Sequence, residues 1–259
     1  MFFIDENNNM IINCNYSTKL TNELKKTIKK YDSIIFGEKF NEKISWLPNT
    51  TKQIKFENDY EYELNNLPEH LEKLTFFFDC NQSVDLLPCG LKILYLGINF
   101  NLPVDMLPES LETIMFLSNF NQPIDDLPRG LKFLTLGDKF THPINNLPKN
   151  LEYLHIGKIF SHPINSIPDT IKNIYLGEDF SHPIKKLPNK LQSITFASKY
   201  KYLDEFKNVY LNNLKISEEK YSRVTFIKKN NKPVPNMIDF IVDTVNNFIG
   251  YLEFDIFDE

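Results

Sequence analysis

The chain has 259 residues, 42% of them hydrophobic and 24% charged, which is enough to bury a substantial core in one elongated domain. Its formal net charge of -5 argues against nucleic acid as the main partner, because phosphate binding needs a basic surface. No apolar run reaches the ~18 residues of a membrane-spanning helix, and the first residues lack the basic flank and apolar stretch of a signal peptide. We therefore expect a cytoplasmic protein that binds neither nucleic acid nor a membrane.

Residues 1–30 are predicted to form an N-terminal cap. Leu20, Leu24 and Ile28 share one face of a helix expected over about residues 18–31. Cys14 and Tyr16 precede Ile34 and Phe36 by the length of one of the repeats that follow, so they are expected to form a degenerate turn in register with those repeats. Residues 2–5 are expected to add a covering strand across an Asn-rich turn.

Residues 31–200 carry a tandem repeat with a strict 20-residue period. Each unit contains Leu-Pro or Ile-Pro, at Pro48, Pro68, Pro88, Pro108, Pro128, Pro148, Pro168 and Pro188. A second proline precedes Val or Ile, at Pro103, Pro123, Pro143, Pro163 and Pro183. A unit of this size cannot bury its own apolar face and must stack on copies of itself, so the period predicts a solenoid.

The spacing within one unit predicts a short strand and an extended return side. In the unit from Leu147 to Ser166 the inward positions are Leu147, Leu151, Leu154, Ile156, Phe160 and Ile164. Leu154 and Ile156 have the period-2 spacing of a strand, so Tyr153 and His155 are expected to face outward. Two prolines five residues apart exclude an ordinary helix from the rest of the turn.

The repeat resembles that of a known family. Phe120-Asn121-Gln122-Pro123-Ile124, followed by Leu127-Pro128-x-x-Leu131-x-x-Leu134, is similar to the FNIP repeat, a variety of leucine-rich repeat found in amoebae and their large DNA viruses. The family unit is usually longer than the unit of this chain, and the Asn becomes Thr141, Ser161 and Ser181 in later units. The resemblance implies a mostly β leucine-rich-repeat-type solenoid with short parallel strands, an extended proline-containing return side and helix-containing terminal caps.

Residues 201–259 are predicted to form a C-terminal cap with a hairpin and a helix. Val224 and Phe226 arrive too early for the 20-residue period, which a hairpin turning at residues 218–220 would explain. Asn236 opens a segment that ends at Gly250 and is predicted to be helical. Its apolar face consists of Ile238, Ile241, Val242, Val245, Phe248 and Ile249. This helix is expected to cap the stack, with binding of a partner as the alternative.

The sequence offers little that could perform chemistry. His142, His162 and His182 share one register, but each is a variant of Gln122, so repeat decoration is favoured over a metal site. In two of these units a Ser directly precedes the His, but neighbours in sequence do not have the hydrogen-bonded geometry of a catalytic pair. The sequence also contains no nucleotide-binding, zinc-protease or hydrolase motif. We expect a protein without enzymatic activity, metal or other cofactor.

One register alternates in charge without exception. Its members are Asp32, Lys52, Glu72, Lys92, Glu112, Lys132, Glu152 and Lys172. Stacked turns would therefore always bring opposite charges together, which predicts a stabilising ladder rather than a ligand surface.

Two outward registers beside each strand contain the candidate site. Their aromatic and other apolar members fall in the middle turns, at Ile93, Tyr95, Met115, Phe133, Tyr153, His155 and Tyr175. The registers are polar toward both ends, for example at Lys55, Lys73 and Ser193. Aromatics and Met on a solvent face are typical of a recognition surface, although such residues also favour strands in general.

The sequence thus predicts a noncatalytic scaffold that binds a protein partner on its strand face. The association of FNIP repeats with F-boxes implies an alternative, a substrate adaptor for ubiquitin ligation, but residues 1–40 lack the opening of an F-box. A structural, self-associating solenoid, such as a homodimer, is the other alternative. If the protein is viral, the expected location is the host cytoplasm.

Overall fold

The computed structural model describes residues 2–5, 7–12, 26–38, 40, 42–197, 199–210, 214–220 and 223–228. Its strands form one sheet and follow one another in chain order, except that the final strand of the chain lies inside the strand before it, which forms the edge of the sheet. They are β1 (Phe2–Ile4), β2 (Met10–Ile12), β3 (Ser33–Phe36), β4 (Gln53–Phe56), β5 (Lys73–Phe76), β6 (Ile93–Leu96), β7 (Thr113–Phe116), β8 (Phe133–Leu136), β9 (Tyr153–Ile156), β10 (Asn173–Tyr175), β11 (Ser193–Ala197), β12 (Leu214–Lys220) and β13 (Arg223–Lys228). One helix, α1 (Leu203–Tyr210), lies between β11 and β12 in the chain. No helix in these ranges is both long enough and apolar enough to cross a membrane.

The sheet confirms the predicted solenoid. From β3 to β11 each strand pairs in parallel with the next, and every residue lies opposite its equivalent in the following repeat, as Leu134 does with Leu154. The return side of each repeat contains turns and extended backbone without a helix. A turn closes each Leu-Pro position, since the amide of Leu151 donates to the carbonyl of Pro148 at 3.1 Å.

The core is a set of continuous side-chain columns. All six inward positions of the unit from Leu147 to Ser166 are buried, as the spacing predicts. The rings of Phe100, Phe120, Phe140 and Phe160 stack at centroid distances of 6.1 to 6.2 Å. Burying one such side chain contributes roughly 1.5 to 3 kcal/mol, so each added turn extends a core that it could not form alone.

The N-terminal register differs from the predicted one. β1 lies where the covering strand is expected and pairs antiparallel with β2. Met10 and Ile12, rather than Cys14 and Tyr16, pair with Ile34 and Phe36. The step into the first repeat is therefore longer than the steps between later strands, and this connection passes through a helical turn at residues 26–28. Most of the helix predicted over residues 18–31, together with Cys14 and Tyr16, lies outside the described residues.

The C-terminal end of the stack is closed by α1 and a hairpin. The ring of Phe206 in α1 packs on Phe196 at 4.9 Å, and β13 pairs antiparallel with β11. The hairpin exists, but its predicted turn at residues 218–220 is wrong, because these residues belong to β12 and Lys220 pairs with Arg223. A register shift between Ile216 and Glu218 lengthens β12 and delays the turn. The helix predicted from Asn236 lies outside the described residues.

The alternating charges form the expected ladder of ion pairs. Lys92, Lys132 and Lys172 lie 2.7 to 2.9 Å from Glu72, Glu112 and Glu152 of the preceding turn. The hydrogen bond from Lys92 lowers the pKa of Glu72. The contribution of that pair is therefore present above the ordinary glutamate pKa and is lost as the pH falls through the lowered value.

At several positions of a second register, directly after the strands, glycine is needed because neighbouring backbones approach closely. A Cβ atom on Gly157 would lie 2.3 Å from the carbonyl oxygen of Gly137, and one on Gly97 would lie 1.4 Å from that of Phe78. A Cβ atom on Gly90, at the proline turn, would lie 3.7 Å from the carbonyl oxygen of Glu69, which is an ordinary contact. Since no glycine among the described residues has a positive φ, steric approach rather than backbone conformation distinguishes these sites.

We predict that Gly157→Ala destabilises the protein and that Gly90→Ala does not. The first change forces two turns apart and should cost about 1 to 3 kcal/mol, as overpacking does. The second should be neutral or stabilise by up to about 1 kcal/mol through the unfolded chain. Urea denaturation followed by circular dichroism measures both, and equal midpoints for the two variants would contradict the close approach.

We also predict that Glu112→Lys lowers stability by placing three lysines in succession along the ladder. Repulsion between exposed charges is screened by salt, so the loss should be larger in dilute buffer than in roughly 0.5 M salt. The control is Glu112→Gln, which removes one ion pair without adding a like charge. Thermal melting at both salt concentrations is the measurement, and a salt-independent loss would place Glu112 outside an exposed ladder.

Candidate partner-binding face

From β3 to β11 the first and third residues of each strand point away from the core and form the strand face. In β8 these are Phe133 and Thr135, whereas Leu134 and Leu136 are in the core. The parallel register places each outward side chain one strand spacing, about 4.8 Å, from its counterpart in the next turn. Residues far apart in sequence therefore form a continuous surface on a rigid sheet.

An apolar cluster separate from the main core occupies the middle of this face. Met115 and Tyr153 are each only 5% exposed, and half-buried side chains of Tyr95, Leu117 and Phe133 pack against them. We call these five residues the central cluster. Four were predicted as site residues, whereas Leu117 was missed.

Leu117 follows β7 in the register that holds Gly97, Gly137 and Gly157 in other turns. A large side chain in a glycine register is the sequence signal that would have identified it. Because the next turn has Gly137 at this position, the leucine side chain has a neighbour without a side chain. The cluster therefore extends past the end of the strand.

Within the central cluster the rings of Phe133 and Tyr153 lie 6.3 Å apart. Burial raises the pKa of both Tyr95 and Tyr153, so both phenols stay neutral at physiological pH. The hydroxyl group of Tyr153 is buried and has no hydrogen-bond partner among the described residues. Leaving a buried hydroxyl unsatisfied costs about 1 to 3 kcal/mol.

The remaining predicted residues flank the central cluster. Ile93 is half-buried on β6, next to Lys73 on β5 and Thr113 on β7. His155 and Tyr175 form a second aromatic pair, with ring centroids 4.3 Å apart. The predicted site residues therefore lie together on the outer face of β6 to β10.

The face becomes basic toward the N-terminal turns. Lys73 lies 5.3 Å from the Tyr95 ring and Lys55 lies 4.6 Å from the Phe77 ring. Burial, followed by repulsion from Lys55, lowers the pKa of Lys73. Lys55 is paired with Glu57 at 2.6 Å, but no described carboxylate lies within ion-pairing distance of Lys73. This edge of the cluster therefore favours a negatively charged ligand group.

The proline side carries a hydrogen-bond ladder instead. The Nε2 atoms of His142, His162 and His182 lie 3.1, 2.7 and 2.9 Å from carbonyl oxygens of the preceding turn. Gln122 donates to the equivalent carbonyl, that of Asn101, at 3.0 Å. The histidines therefore take over the structural role of glutamine, as their register suggests.

The Asn of the repeat also has a structural role. The amide of Asn121 donates to the side-chain oxygen of Asn101 at 2.8 Å, and the amide of Thr141 donates to that of Asn121 at 2.9 Å. Each Asn thus satisfies a backbone donor of the next turn that the strand ladder does not reach.

Groups suited to chemistry are sparse in the described part of the chain. It contains no cluster of three or more His, Cys, Asp or Glu side chains that could hold a metal ion. Cys80 replaces the stacked Phe of its repeat, and burial raises its pKa to about 12, which suppresses the reactive thiolate.

The comparison with protein families agrees with the repeat seen in the sequence. The family model described as FNIP Repeat matches residues 120–159 and 160–199. A solved structure described as CroV588, a circular leucine-rich-repeat protein, is similar with 25% identity and a TM-score of 0.46. That match covers 75% of this chain and 41% of the length of the solved chain. No curated protein matches the chain.

We predict that replacing His142, His162 and His182 together by Gln leaves stability nearly unchanged. Each Gln can donate to the same carbonyl, as Gln122 does. Replacement by Ala removes three hydrogen bonds and should cost about 0.5 to 1.5 kcal/mol for each. Thermal melting with and without Zn²⁺ is the measurement. If zinc stabilised the parent chain but not the Gln variant, the histidines would be metal ligands instead.

Proposed function

Because residues 120–199 are FNIP repeats, we propose that this protein is a noncatalytic scaffold that binds a protein partner through its strand face. The observation that carries the proposal is the central cluster, which is apolar and aromatic and lies outside the main core. The alternatives of ubiquitin-ligation adaptor and self-associating solenoid have no specific support among the described residues, so neither is proposed.

The composition of the central cluster suits protein recognition. Tyr, Phe and Met are enriched at interfaces, and a few aromatic side chains usually supply most of the binding energy. Tyr95 and Phe133, the half-buried aromatic members of the cluster, present ring surface with few rotatable bonds, and the strands fix their positions. Little conformational entropy is therefore lost when a partner binds.

The surroundings of the cluster have the polarity of an interface rim. Lys55 and Lys73 flank it on the N-terminal side, and Asn173, Ser193 and Thr195 lie toward the other end. Asn173 and Ser193 are hydrogen-bonded to each other at 2.7 Å. An apolar centre within a polar rim excludes water from the central contacts, which strengthens them.

We predict that Phe133→Ala combined with Tyr153→Ala abolishes partner binding while the protein still folds. Both side chains lie outside the main core, so the repeat columns remain intact. Loss of two central aromatics should weaken binding by several kcal/mol, on the order of 2 or more for each. Affinity purification with mass spectrometry, together with circular dichroism, is the measurement.

The matched control is His142→Ala with His162→Ala on the proline side. Partners that are lost with this control but retained by the double variant at Phe133 and Tyr153 would place the binding surface on the proline side. Light scattering on the parent chain separates a second copy from a different protein as the partner.

A further inference from the structure

We propose that the return side of the solenoid carries a second binding surface, which takes a basic segment of a protein partner with apolar side chains among its Lys or Arg residues. This surface, the return-side patch, consists of Leu86, Met106, Asp85, Asp105 and Asp126, all of which are exposed. Its members lie in the connections between β5 and β8, so the patch is separate from the strand face and does not depend on the proposed function.

The centre of the patch is apolar. Leu86 and Met106 are the two most exposed large apolar side chains among the described residues, at 74% and 67%. They are equivalent residues of consecutive repeats, and consecutive turns lie close together on this side, as the 6.1 Å between the rings of Phe100 and Phe120 shows. Single exposed apolar residues are common on protein surfaces, whereas adjacent ones are typical of interaction sites.

The repeat itself does not require apolar side chains at this position. The equivalent residues of other turns include Asn66, Asn146 and Ser166. Trp46 is a further apolar residue in this register, but it packs against the main core. Leu86 and Met106 therefore depart from a mostly polar register without contributing to the core, and they do so in neighbouring turns.

The carboxylate of Asp85 lacks a partner that the repeat supplies elsewhere. The side-chain amide of Asn146 donates to the carboxylate of Asp125, in the preceding turn, at 2.9 Å. Met106 and Asp85 occupy the same two positions one repeat pair earlier in the stack, and a methionine has no donor. A cationic side chain of a partner would take the place of that donor, with the added attraction of opposite charges.

The negative charge of the patch is not compensated by described residues. Asp126 stands where Asn146 stands two turns away from Met106, so its neighbour across the turn is Asp105 and the step brings two like charges together. No described Lys or Arg lies within ion-pairing distance of the three aspartates of the patch.

The surrounding sequence is acidic as well. Residues 81–128 contain a single basic side chain, Lys92, which pairs with Glu72 beside the strands. The acidic side chains of this range are Asp85, Asp105, Glu109, Glu112, Asp125 and Asp126. A cationic partner would therefore meet an excess of negative charge around an apolar centre.

These charges determine the kind of partner. Nucleic acid and anionic membrane surfaces would be repelled by the patch. No group of three or more His, Cys, Asp or Glu side chains in the described part of the chain is close enough to hold a metal ion, so several separate cations fit better than one. A protein segment that carries Lys or Arg around apolar side chains supplies both the charge and the apolar contact.

A synthetic peptide tests the binding. A fluorescein-labelled, helix-favouring peptide with two Leu four positions apart and Lys around them presents apolar side chains about 5 to 6 Å apart, close to the step between turns. The matched peptide has Asn in place of both Leu and keeps the charge. In anisotropy titrations we expect the Leu peptide to bind the parent chain roughly tenfold more tightly or better. Equal affinities, or no saturable binding up to about 1 mM peptide, would overturn the inference.

The apolar centre is tested with residues that the repeat already contains. Leu86→Asn with Met106→Asn introduces the residue found at Asn66 and Asn146, so the variant should melt like the parent chain. It should bind the Leu peptide about tenfold more weakly. Unchanged affinity in this variant would exclude Leu86 and Met106 as the contact.

The carboxylates are tested in the same way. Asp85→Asn with Asp105→Asn introduces the residue found at Asn65 and Asn145 and removes two charges. Binding should weaken about tenfold at roughly 0.05 M salt, and the difference from the parent should shrink as salt is added.

The matched control removes the same charge elsewhere. Asp204→Asn with Glu205→Gln changes two residues of the first turn of α1, and this variant should bind the Leu peptide like the parent chain. Equal weakening in the control and in the variant at Asp85 and Asp105 would mean general attraction to an acidic protein and would overturn the inference.

Carbodiimide coupling locates the bound peptide. The reagent joins a Lys amine of the peptide to a carboxylate that it contacts, and mass spectrometry of the digested product identifies that carboxylate. We expect coupling at Asp85, Asp105 and Asp126. Coupling spread over the acidic residues of the whole chain would contradict a defined site.

Two further measurements separate the other occupants and the other surface. Light scattering over a range of protein concentrations detects self-association, and self-association that Leu86→Asn with Met106→Asn abolishes would identify a second copy as the occupant instead. Phe133→Ala with Tyr153→Ala should leave peptide binding unchanged, because both residues lie on the strand face. Loss of the peptide from that variant would move its site to the strand face, so this inference and the proposed function fail separately.

Discussion

The constant offset of one repeat length between paired strands is the constraint on which the rest of this structure depends. Parallel in-register pairing places each residue beside its own equivalent, so every choice at one position is repeated along the stack. A slip by one residue would move the core side chains of a strand to the outer face. The register is therefore held by the buried columns, and the polar ladders follow from it.

Stacking equivalent positions would bring like charges together, crowd neighbouring backbones and leave some amides without partners. In most registers each of these effects is avoided by a different choice of residue. A charged register would stack like charges, and the alternation of Glu and Lys converts repulsion into ion pairs. Where backbones approach closely, glycine removes the Cβ atom. Where the return side leaves amides without strand partners, Asn, Gln and His side chains bond across one turn. These registers keep their residue types for structural reasons, and this leaves little freedom for binding.

The sequence predicted the parts of the structure that belong to the 20-residue repeats. Leu151, Leu154 and Ile156 located a strand because the same spacing recurs in every unit, and the ion-pair ladder followed from sign alternation alone. Prediction failed where the chain leaves the period. Met10 and Ile12 replace Cys14 and Tyr16 because the first connection is longer, and neither α1 nor the register shift in β12 has a repeated counterpart. Leu117 was missed because several other turns have glycine at the equivalent position.

The outward registers of the strands are less restricted, and there the turns differ most from one another. Lys, Ile, Thr, Phe, Tyr and Asn succeed one another at the first strand position, from Lys73 on β5 to Asn173 on β10. A ladder of identical residues would give a surface that looks the same at every turn and could not fix the register of a ligand. On this varied face the central cluster is an apolar group that lies between a basic edge and a polar edge. The repeat thus supplies a rigid frame, and its departures from uniformity supply the polarity that orients whatever binds.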